Sequence, residues 1–178
     1  SVEMTFPRGV IIGVIAMTVI VAASNYLVQF PINDWLTWGA FIYPVAFLVT
    51  DLTNRTFGAA RARQVVYAGF VLAVILSIAL ATPRIALASG SAFLVAQLLD
   101  VRIFDRLKRR RTWWTAPLVS SSVGSAVDTA LFFSIAFAGT AVPWVTLGFG
   151  DYAVKLALAL SMLVPFRAMM LLTKPQRI

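Results

Sequence analysis

The sequence lacks cysteine and histidine altogether, and it carries few charges of either sign. Without cysteine the 178-residue chain can form no disulfide and offers no thiol nucleophile. Without histidine it can build neither a histidine-based triad nor the usual zinc sites. The seven acidic residues show no recognisable metal-ligand spacing. We therefore expect no metal, no other cofactor and no enzymatic activity.

Charge is also scarce relative to hydrophobic residues. Only 12% of the residues are charged and 60% are hydrophobic, and the mean hydropathy is +0.87. Soluble domains are about 25% charged and about half apolar, so this composition is typical of a protein that lies in a lipid bilayer. The length allows one membrane domain covering the whole chain. The net charge of +8 is explained by basic loops of membrane proteins, and we expect no nucleic-acid partner.

Apolar segments dominate what the sequence does contain. Six of them approach the roughly 20 residues that a helix needs to cross a bilayer, and the alternating pattern of a membrane β-barrel is absent. Because no small-residue cleavage site clearly follows the first segment, we expect it to be a retained span. The sequence predicts an all-α polytopic membrane protein with six transmembrane helices, at residues 10–30, 36–53, 65–81, 85–104, 115–138 and 152–172.

The basic residues predict the orientation of these spans. With the N-terminus inside, 13 of the 15 basic residues lie on the cytoplasmic side, whereas Arg84 lies on an outer loop and Lys155 within a span. Lys and Arg concentrate on cytoplasmic loops, so both termini are predicted to be cytoplasmic. The cytoplasmic set is Arg8, Arg55, Arg61, Arg63, Arg102, Arg106, Lys108, Arg109, Arg110, Arg111, Arg167, Lys174 and Arg177.

Ionisable residues within the predicted spans are the first candidates for a functional site, because a charge inside a bilayer is costly. A rise of about 1.5 Å per residue places Asn25, Asp128 and Lys155 in an outer layer. The same estimate places Asp51 and Asp100 near the inner surface. The uncharged candidates are Tyr43, Gln97 and the serines of the fifth span.

The fifth span carries a polar stripe at helical spacing, with steps of four, three and four residues. Ser120 and Gly124 lie four residues apart and would allow close helix approach. Two alternatives to a ligand site stay open: the small residues serve packing, and Asp128 forms a buried ion pair with Lys155. Asp51 and Asp100 could likewise pair with nearby arginines. The stripe consists of Ser121, Ser125, Asp128 and Phe132.

Four segments resemble the queuosine precursor transporter family, which comprises small, vitamin-uptake-like bacterial membrane proteins. They are "YPVAFLVTDLTNRTFGAARAR" (43–63), "ASGSAFLVAQLLDVRIFDRL" (88–107), "SSVGSAVDTALFFSIAFAG" (121–139) and "DYAVKLALAL" (151–160). Their order and spacing agree with the family over most of the chain after residue 40. Many members are acidic where this chain has Arg55, so the resemblance assigns that position no role.

The resemblance implies uptake of 7-deazaguanine compounds across the bacterial inner membrane: 7-cyano-7-deazaguanine, its aminomethyl relative or queuine. It also implies a fold similar to the substrate-binding subunits of energy-coupling-factor transporters. In our hypothesis Asp128 accepts hydrogen bonds from the donor edge of the base, and Lys155 or Asn25 donates a hydrogen bond to the carbonyl oxygen of the base. The candidate substrate-binding residues are Asp128, Lys155, Asn25, Tyr43, Gln97, Ser125 and Phe132, and the gating or coupling candidates are Asp51, Asp100, Arg61 and Arg63.

Other functions remain alternatives. The chain could be a substrate-binding subunit that depends on a separate ATP-driven module, since it has no GxxxxGK[ST] motif of its own. A homo-oligomer is compatible with the sequence. A channel would show a filter motif, and none is visible. An intramembrane aspartyl protease would match "GFGD" (148–151), but Asp151 is expected at the outer mouth of the last span and the Tyr-Asp partner motif is absent.

Overall fold

The computed structural model describes residues 7–27, 30, 32–33, 38–42 and 44–172, and all regular secondary structure within that part is helical. This confirms the predicted all-α class. Four helices of this part are long and apolar enough to cross a membrane; of the other two, one has 14 residues and one has a short apolar part. The elements are α1 (Arg8–Leu27), a 3-10 turn (Trp38–Phe41), α2 (Pro44–Phe57), α3 (Ala59–Leu80), α4 (Pro83–Leu107), α5 (Thr115–Phe137) and α6 (Trp144–Leu172).

Two helix boundaries differ from the predicted spans in ways that matter for the site. Helix α2 begins only at Pro44, a residue suited to the first helical position. It ends before Gly58, whose φ of 94° interrupts the helix. Helix α6 begins at Trp144 and not at residue 152. Asp151, predicted to lie at the outer mouth, therefore lies inside α6 and is buried.

One end of the bundle collects basic residues. Lys108, just after α4, donates a hydrogen bond of 2.9 Å to the Oδ1 atom of Asn54 near the end of α2. The Arg167 guanidinium of α6 lies 5.3 Å from the centre of the Trp113 ring, just before α5. Arg55 shares a cavity with Lys108 and neighbouring arginines. We call this the basic end; its placement in the cytoplasm remains a prediction.

The opposite end is closed by Arg84, at the start of α4. Its guanidinium donates to the carbonyl oxygens of Ile135, at 2.8 Å, and Ala138, at 2.7 Å. Both carbonyls belong to the end of α5, where backbone acceptors lack helical partners and the helix dipole favours a cation. Helices α4 and α5 are therefore antiparallel neighbours, and α2 runs parallel to α4.

Small residues allow the helices to approach closely. A Cβ atom added at Gly124 of α5 would lie 2.8 Å from Phe47 of α2. One at Gly69 of α3 would lie 2.5 Å from the side chain of Met17 of α1. Ser120, one turn before Gly124, is completely buried. The predicted packing role of Ser120 and Gly124 is thus confirmed, and it brings α2 against the polar stripe of α5.

Candidate ligand site

Lys155 of α6 lies at the centre of a buried group of charges. Its Nζ atom is 2.7 Å from the Oδ2 atom of Asp128 and 2.6 Å from that of Asp151. Thr129 donates a hydrogen bond of 2.7 Å to Asp151 and accepts one of 3.3 Å from Lys155. At most 5% of each charged side chain is exposed. We call these four residues the lysine cluster.

Helical spacing explains how the lysine cluster forms. Asp151 and Lys155 are four residues apart on α6, so they lie on one face. Asp128 and Thr129 face them from α5. The ion pair between Asp128 and Lys155, left open as an alternative, is present. Asp151 was not among the predicted site residues, although its spacing from Lys155 was a signal that could have identified it.

A second buried polar group lies nearer the basic end. Asp51 of α2 and Asp100 of α4 are 1% and 0% exposed, and their carboxylates are close enough to interact directly. The Oδ2 atom of Asp51 accepts hydrogen bonds from Ser120, at 3.5 Å, and Ser121, at 3.3 Å. These four residues are the aspartate cluster. Side chains that extend to the membrane–water interface would be exposed at the surface of the bundle, whereas Asp51 and Asp100 are buried inside it.

The suggested ion pairs of Asp51 and Asp100 with Arg61 or Arg63 do not occur in the described part of the chain. Arg61 donates to Gln64 at 3.0 Å. The physical reason is depth: α2 continues for six residues beyond Asp51, about 9 Å at helical rise. The arginines at the start of α3 therefore lie at the basic end, whereas the aspartates lie deeper in the bundle.

The aspartate cluster has more acceptors than donors. Among the described residues, no hydrogen-bond donor reaches Oδ1 of Asp51 or either carboxylate oxygen of Asp100. Gln97, one turn before Asp100 on α4, accepts a 2.6 Å hydrogen bond from Thr50, but its Nε2 atom also has no partner in that part of the chain. Buried polar groups without partners are rare and often mark functional positions.

A small cavity between α2, α5 and α6 joins the two clusters. Its volume is about 10 Å³, room for roughly one water molecule. Pockets for drug-sized ligands measure roughly 300–1,000 Å³, so α2 and α6 must separate before an organic ring can enter. The polar lining of this central cavity is Asp51, Ser121, Ser125 and Lys155, and its aromatic lining is Phe47 and Phe166.

The structure brings some of the predicted site residues together and separates others. Ser125 and Lys155 line the central cavity, together with Asp51, which was expected at a gate. Asp128 contacts Lys155 but does not line the cavity, and Gln97 contacts Thr50. Tyr43 and the side chain of Asn25 lie outside the described residues.

Phe132 belongs to the packed core and not to the cavity. It is 7% exposed and lies in edge-to-face contact with Phe133 and Phe137, at centroid distances of 5.1 and 5.9 Å. The cavity instead uses Phe47 and Phe166, which sequence analysis missed. Phe47 is four residues from Asp51, a spacing that places both on one face of α2.

A helical bundle with several membrane-length helices, buried charges and a central cavity defines a multi-pass membrane protein. The family model described as "Putative vitamin uptake transporter" matches residues 37–82 and 75–170. The chain belongs to this family, and curated relatives of the chain are named queuosine precursor transporters. It belongs to a family of transporters, not of enzymes. No solved structure matches the fold, so the likeness to energy-coupling-factor subunits stays a prediction.

Three relatives cover most of the chain. The "Probable queuosine precursor transporter" of Haemophilus influenzae is 39% identical over 82% of this chain and 79% of its own length. The "Queuosine precursor transporter" of Escherichia coli is 35% identical over 85% of this chain and 81% of its own. A Bacillus subtilis protein with the same description as the Haemophilus protein is 30% identical, over 70% and 67%.

Proposed function

We propose that this protein takes up queuosine precursors across the bacterial inner membrane, as a six-span protein with both termini in the cytoplasm. The names of the three relatives support this substrate class. The observation that carries the proposal is the central cavity, because it places a carboxylate, an ammonium group and two aromatic rings around one space. These groups match the donor edge, the carbonyl oxygen and the flat face of a 7-deazaguanine.

The chemistry of the ring matches the cavity. A guanine-like base offers two adjacent N–H donors on one edge and a carbonyl oxygen beside them. Oδ1 of Asp51 lacks a donor among the described residues and can accept from the N–H edge. Lys155 can donate to the carbonyl oxygen, and Phe47 and Phe166 provide aromatic surface for the flat ring. Hydrogen bonds to charged groups are the strong ones.

Asp128 has a different place in this proposal from the one its sequence position suggested. It contacts Lys155 without lining the cavity and, with Asp151, holds the ammonium group there. It would contact the base itself only after a ligand had displaced Lys155. Asn25, Tyr43, Gln97 and Phe132 remain secondary candidates for the substrate-bound form.

Opening of the cavity is assigned to α6. Pro165 lies inside this helix, next to the cavity residue Phe166, and it provides no N–H for the carbonyl of Ser161. A proline inside a helix removes one backbone hydrogen bond and favours a bend. In this proposal, α6 bends at Pro165 to admit the substrate, and the aspartate cluster, which lies deeper than the basic end but nearer to it than the lysine cluster does, governs release.

The function is tested by supplying labelled precursors to cells that cannot synthesise queuosine and measuring queuosine in their tRNA. Expression of this gene should restore queuosine at low external precursor concentration. Asp105→Asn should restore it equally and serves as a control for carboxylate substitutions, because Asp105 is 44% exposed and, among the described residues, pairs with Lys108. Absence of uptake by well-expressed, membrane-inserted protein would exclude the proposal.

The dependence on a partner is tested on purified protein in liposomes. Uptake by the protein alone supports a self-sufficient transporter. Co-purification with an ATPase pair, together with inactivity alone, would instead support a substrate-binding subunit that requires an ATP-driven module.

Orientation is tested with reporter fusions in the connections around residues 58 and 110. Both should report a cytoplasmic location, because both lie at the basic end. A periplasmic signal from either would reverse the proposed orientation and the assignment of the entry side.

A further inference from the structure

The aspartate cluster contains an excess of negative charge and of acceptors with no use in packing. Asp51 and Asp100 are at least 99% buried. Hydrogen bonds from Thr50 to Gln97, at 2.6 Å, and from Asn54 to the carbonyl of Val101, at 3.2 Å, hold the turns that carry the two aspartates against each other. Three of their four carboxylate oxygens accept no hydrogen bond among the described residues. We propose that these two carboxylates form a proton-binding site that holds one shared proton, and that transport is coupled to this proton.

In the part of the chain that the structure describes, the surroundings of the pair provide no compensating cation. From α5 the pair meets the hydroxyls of Ser120 and Ser121, and from α4 the neutral side chain of Gln97 lies one turn away. Lys155 of α6 lines the same cavity as Asp51 but is held by two other carboxylates. Lys108 is held by Asp105 and Asn54 at the basic end.

The other basic residues on the helices around the pair lie at the surface or at the basic end. Arg8, Arg63 and Arg102 are exposed, Arg55 lines the cavity at the basic end, and Arg61 lies in the first turn of α3. In the described part of the chain, no ion pair involves Asp51 or Asp100. The charges of the pair are therefore balanced by protonation or by a bound cation.

A shared proton resolves both the charge and the hydrogen-bond imbalance. Two like charges at short distance in an apolar interior disfavour full ionisation. Protonation of one carboxylate removes one charge and creates an O–H donor. That donor can bond an oxygen of the other carboxylate, which otherwise lacks a partner.

The position of the pair explains how a proton would be coupled to uptake, a step that rests on the proposed function. Asp51 borders the central cavity, whereas Asp100 is not among the residues that line it. A ligand with N–H donors can therefore contact Asp51 while the proton stays between the two carboxylates. Proton and ligand then occupy the site together, as co-transport requires.

Infrared spectroscopy of the purified protein tests the proton directly and needs no substrate. At about pH 7, where free aspartate is ionised, the wild type should show the carbonyl stretch of a protonated carboxylic acid. Asp51→Asn and Asp100→Asn should each shift this band, and the double variant should lose it. Asp105→Asn should leave it unchanged, since Asp105 is exposed and paired with Lys108.

Several outcomes would overturn the proton site. Complete absence of the band in the wild type would do so without any variant, so the test survives if a variant fails to fold. Loss of the band in Asp128→Asn but not in the double variant would move the proton to the lysine cluster. Disappearance of the band on addition of sodium chloride at constant pH, with potassium chloride as control, would replace the proton by a sodium ion.

Coupling is tested separately in the cell assay. Uptake of labelled precursor by the wild type should fall several-fold when a protonophore is added, whereas uptake that ignores the protonophore would overturn coupling. A protein that shows the infrared band but takes up no precursor would keep the proton site and exclude the proposed function. The two failures are thus distinguishable.

Discussion

The lysine cluster and the aspartate cluster are equally buried but differ in how their polar atoms are satisfied. In the lysine cluster, one ammonium group bonds two carboxylates at 2.6 and 2.7 Å, and Thr129 adds a further donor. In the aspartate cluster, two serine donors both reach one oxygen of Asp51, at 3.3 Å or more, and no donor among the described residues reaches Asp100. The first group is held by strong contacts, whereas the second has acceptors to spare.

This difference indicates that the lysine cluster has a structural role, whereas the aspartate cluster can bind a ligand or a proton. The lysine cluster joins α5 to α6 and places Lys155 beside the cavity. The aspartate cluster joins α2 to α4 and α5 through weak contacts, and its open acceptors are available to a ligand or a proton. Each prediction below perturbs one group and uses the other, or a matched position, for comparison.

The largest expected effect comes from Lys155→Met. Removing the ammonium group leaves Asp128 and Asp151 buried and unpaired, and breaking a buried ion pair costs about 3–5 kcal/mol. We expect low yield and a strongly lowered midpoint in thermal unfolding of the detergent-solubilised protein. Restoring neutrality with Asp128→Asn and Asp151→Asn in the same chain should recover much of the stability. A Lys155→Met protein as stable as the wild type would show that the cluster does not hold α5 to α6.

The sequence predicted much of this contrast, because helix existence and intramembrane charge can be read from local pattern. Asp128 and Lys155 were placed at one depth by counting residues, and the structure pairs them. Asp51 and Asp100 were placed together in a second layer, and they do lie together. Helical rise is regular, so relative depth within apolar segments is the part of a membrane fold that residue counting recovers best.

The sequence could not predict what depends on exact helix ends. The early start of α6 at Trp144 moved Asp151 from the predicted mouth into the bundle. The late start of α2 at Pro44 and its end at Phe57 placed Asp51 away from Arg61. Which face of α2 meets α5 was likewise not readable, because it depends on the contact between Phe47 and Gly124.

The second prediction compares one aspartate from each cluster in ligand binding. Asp51→Asn should weaken binding of 7-cyano-7-deazaguanine at least tenfold, because hydrogen bonds to a charged group contribute roughly 1.5–3 kcal/mol each. Asp128→Asn should lower thermal stability but leave affinity within about threefold, since Lys155 keeps Asp151 as a partner. Isothermal calorimetry on both purified variants measures the difference. The reverse order of affinities would return the base-binding role to Asp128.

The third prediction uses the glycine between the clusters. Gly124→Ala places a methyl group 2.8 Å from the Phe47 ring and 3.4 Å from the backbone oxygen of Ala96. Overpacking of this kind costs about 1–3 kcal/mol and should push α2 away from α5. Both the stability of the protein and its affinity for the ligand should therefore fall. Gly148→Ala is the control, because its nearest neighbour is the Thr129 methyl at 3.8 Å. Equal stability of the two variants would mean that α2 does not depend on this close approach.

The smallest expected effects come from removing one hydroxyl in or beside each cluster. Thr129→Val deletes the donor to Asp151, which keeps Lys155 as its partner, so the loss should be about 1 kcal/mol. Thr50→Val deletes the donor to Gln97, whose Nε2 atom already lacks a partner among the described residues. That buried amide would then have no hydrogen bond, and leaving such a group unsatisfied costs about 1–3 kcal/mol. Denaturation of both variants in the same detergent should therefore rank Thr50→Val as the less stable. If the order is reversed, the amide of Gln97 can turn to another hydrogen-bond partner. The polar groups beside the aspartate cluster then have more hydrogen bonds available than the structure shows.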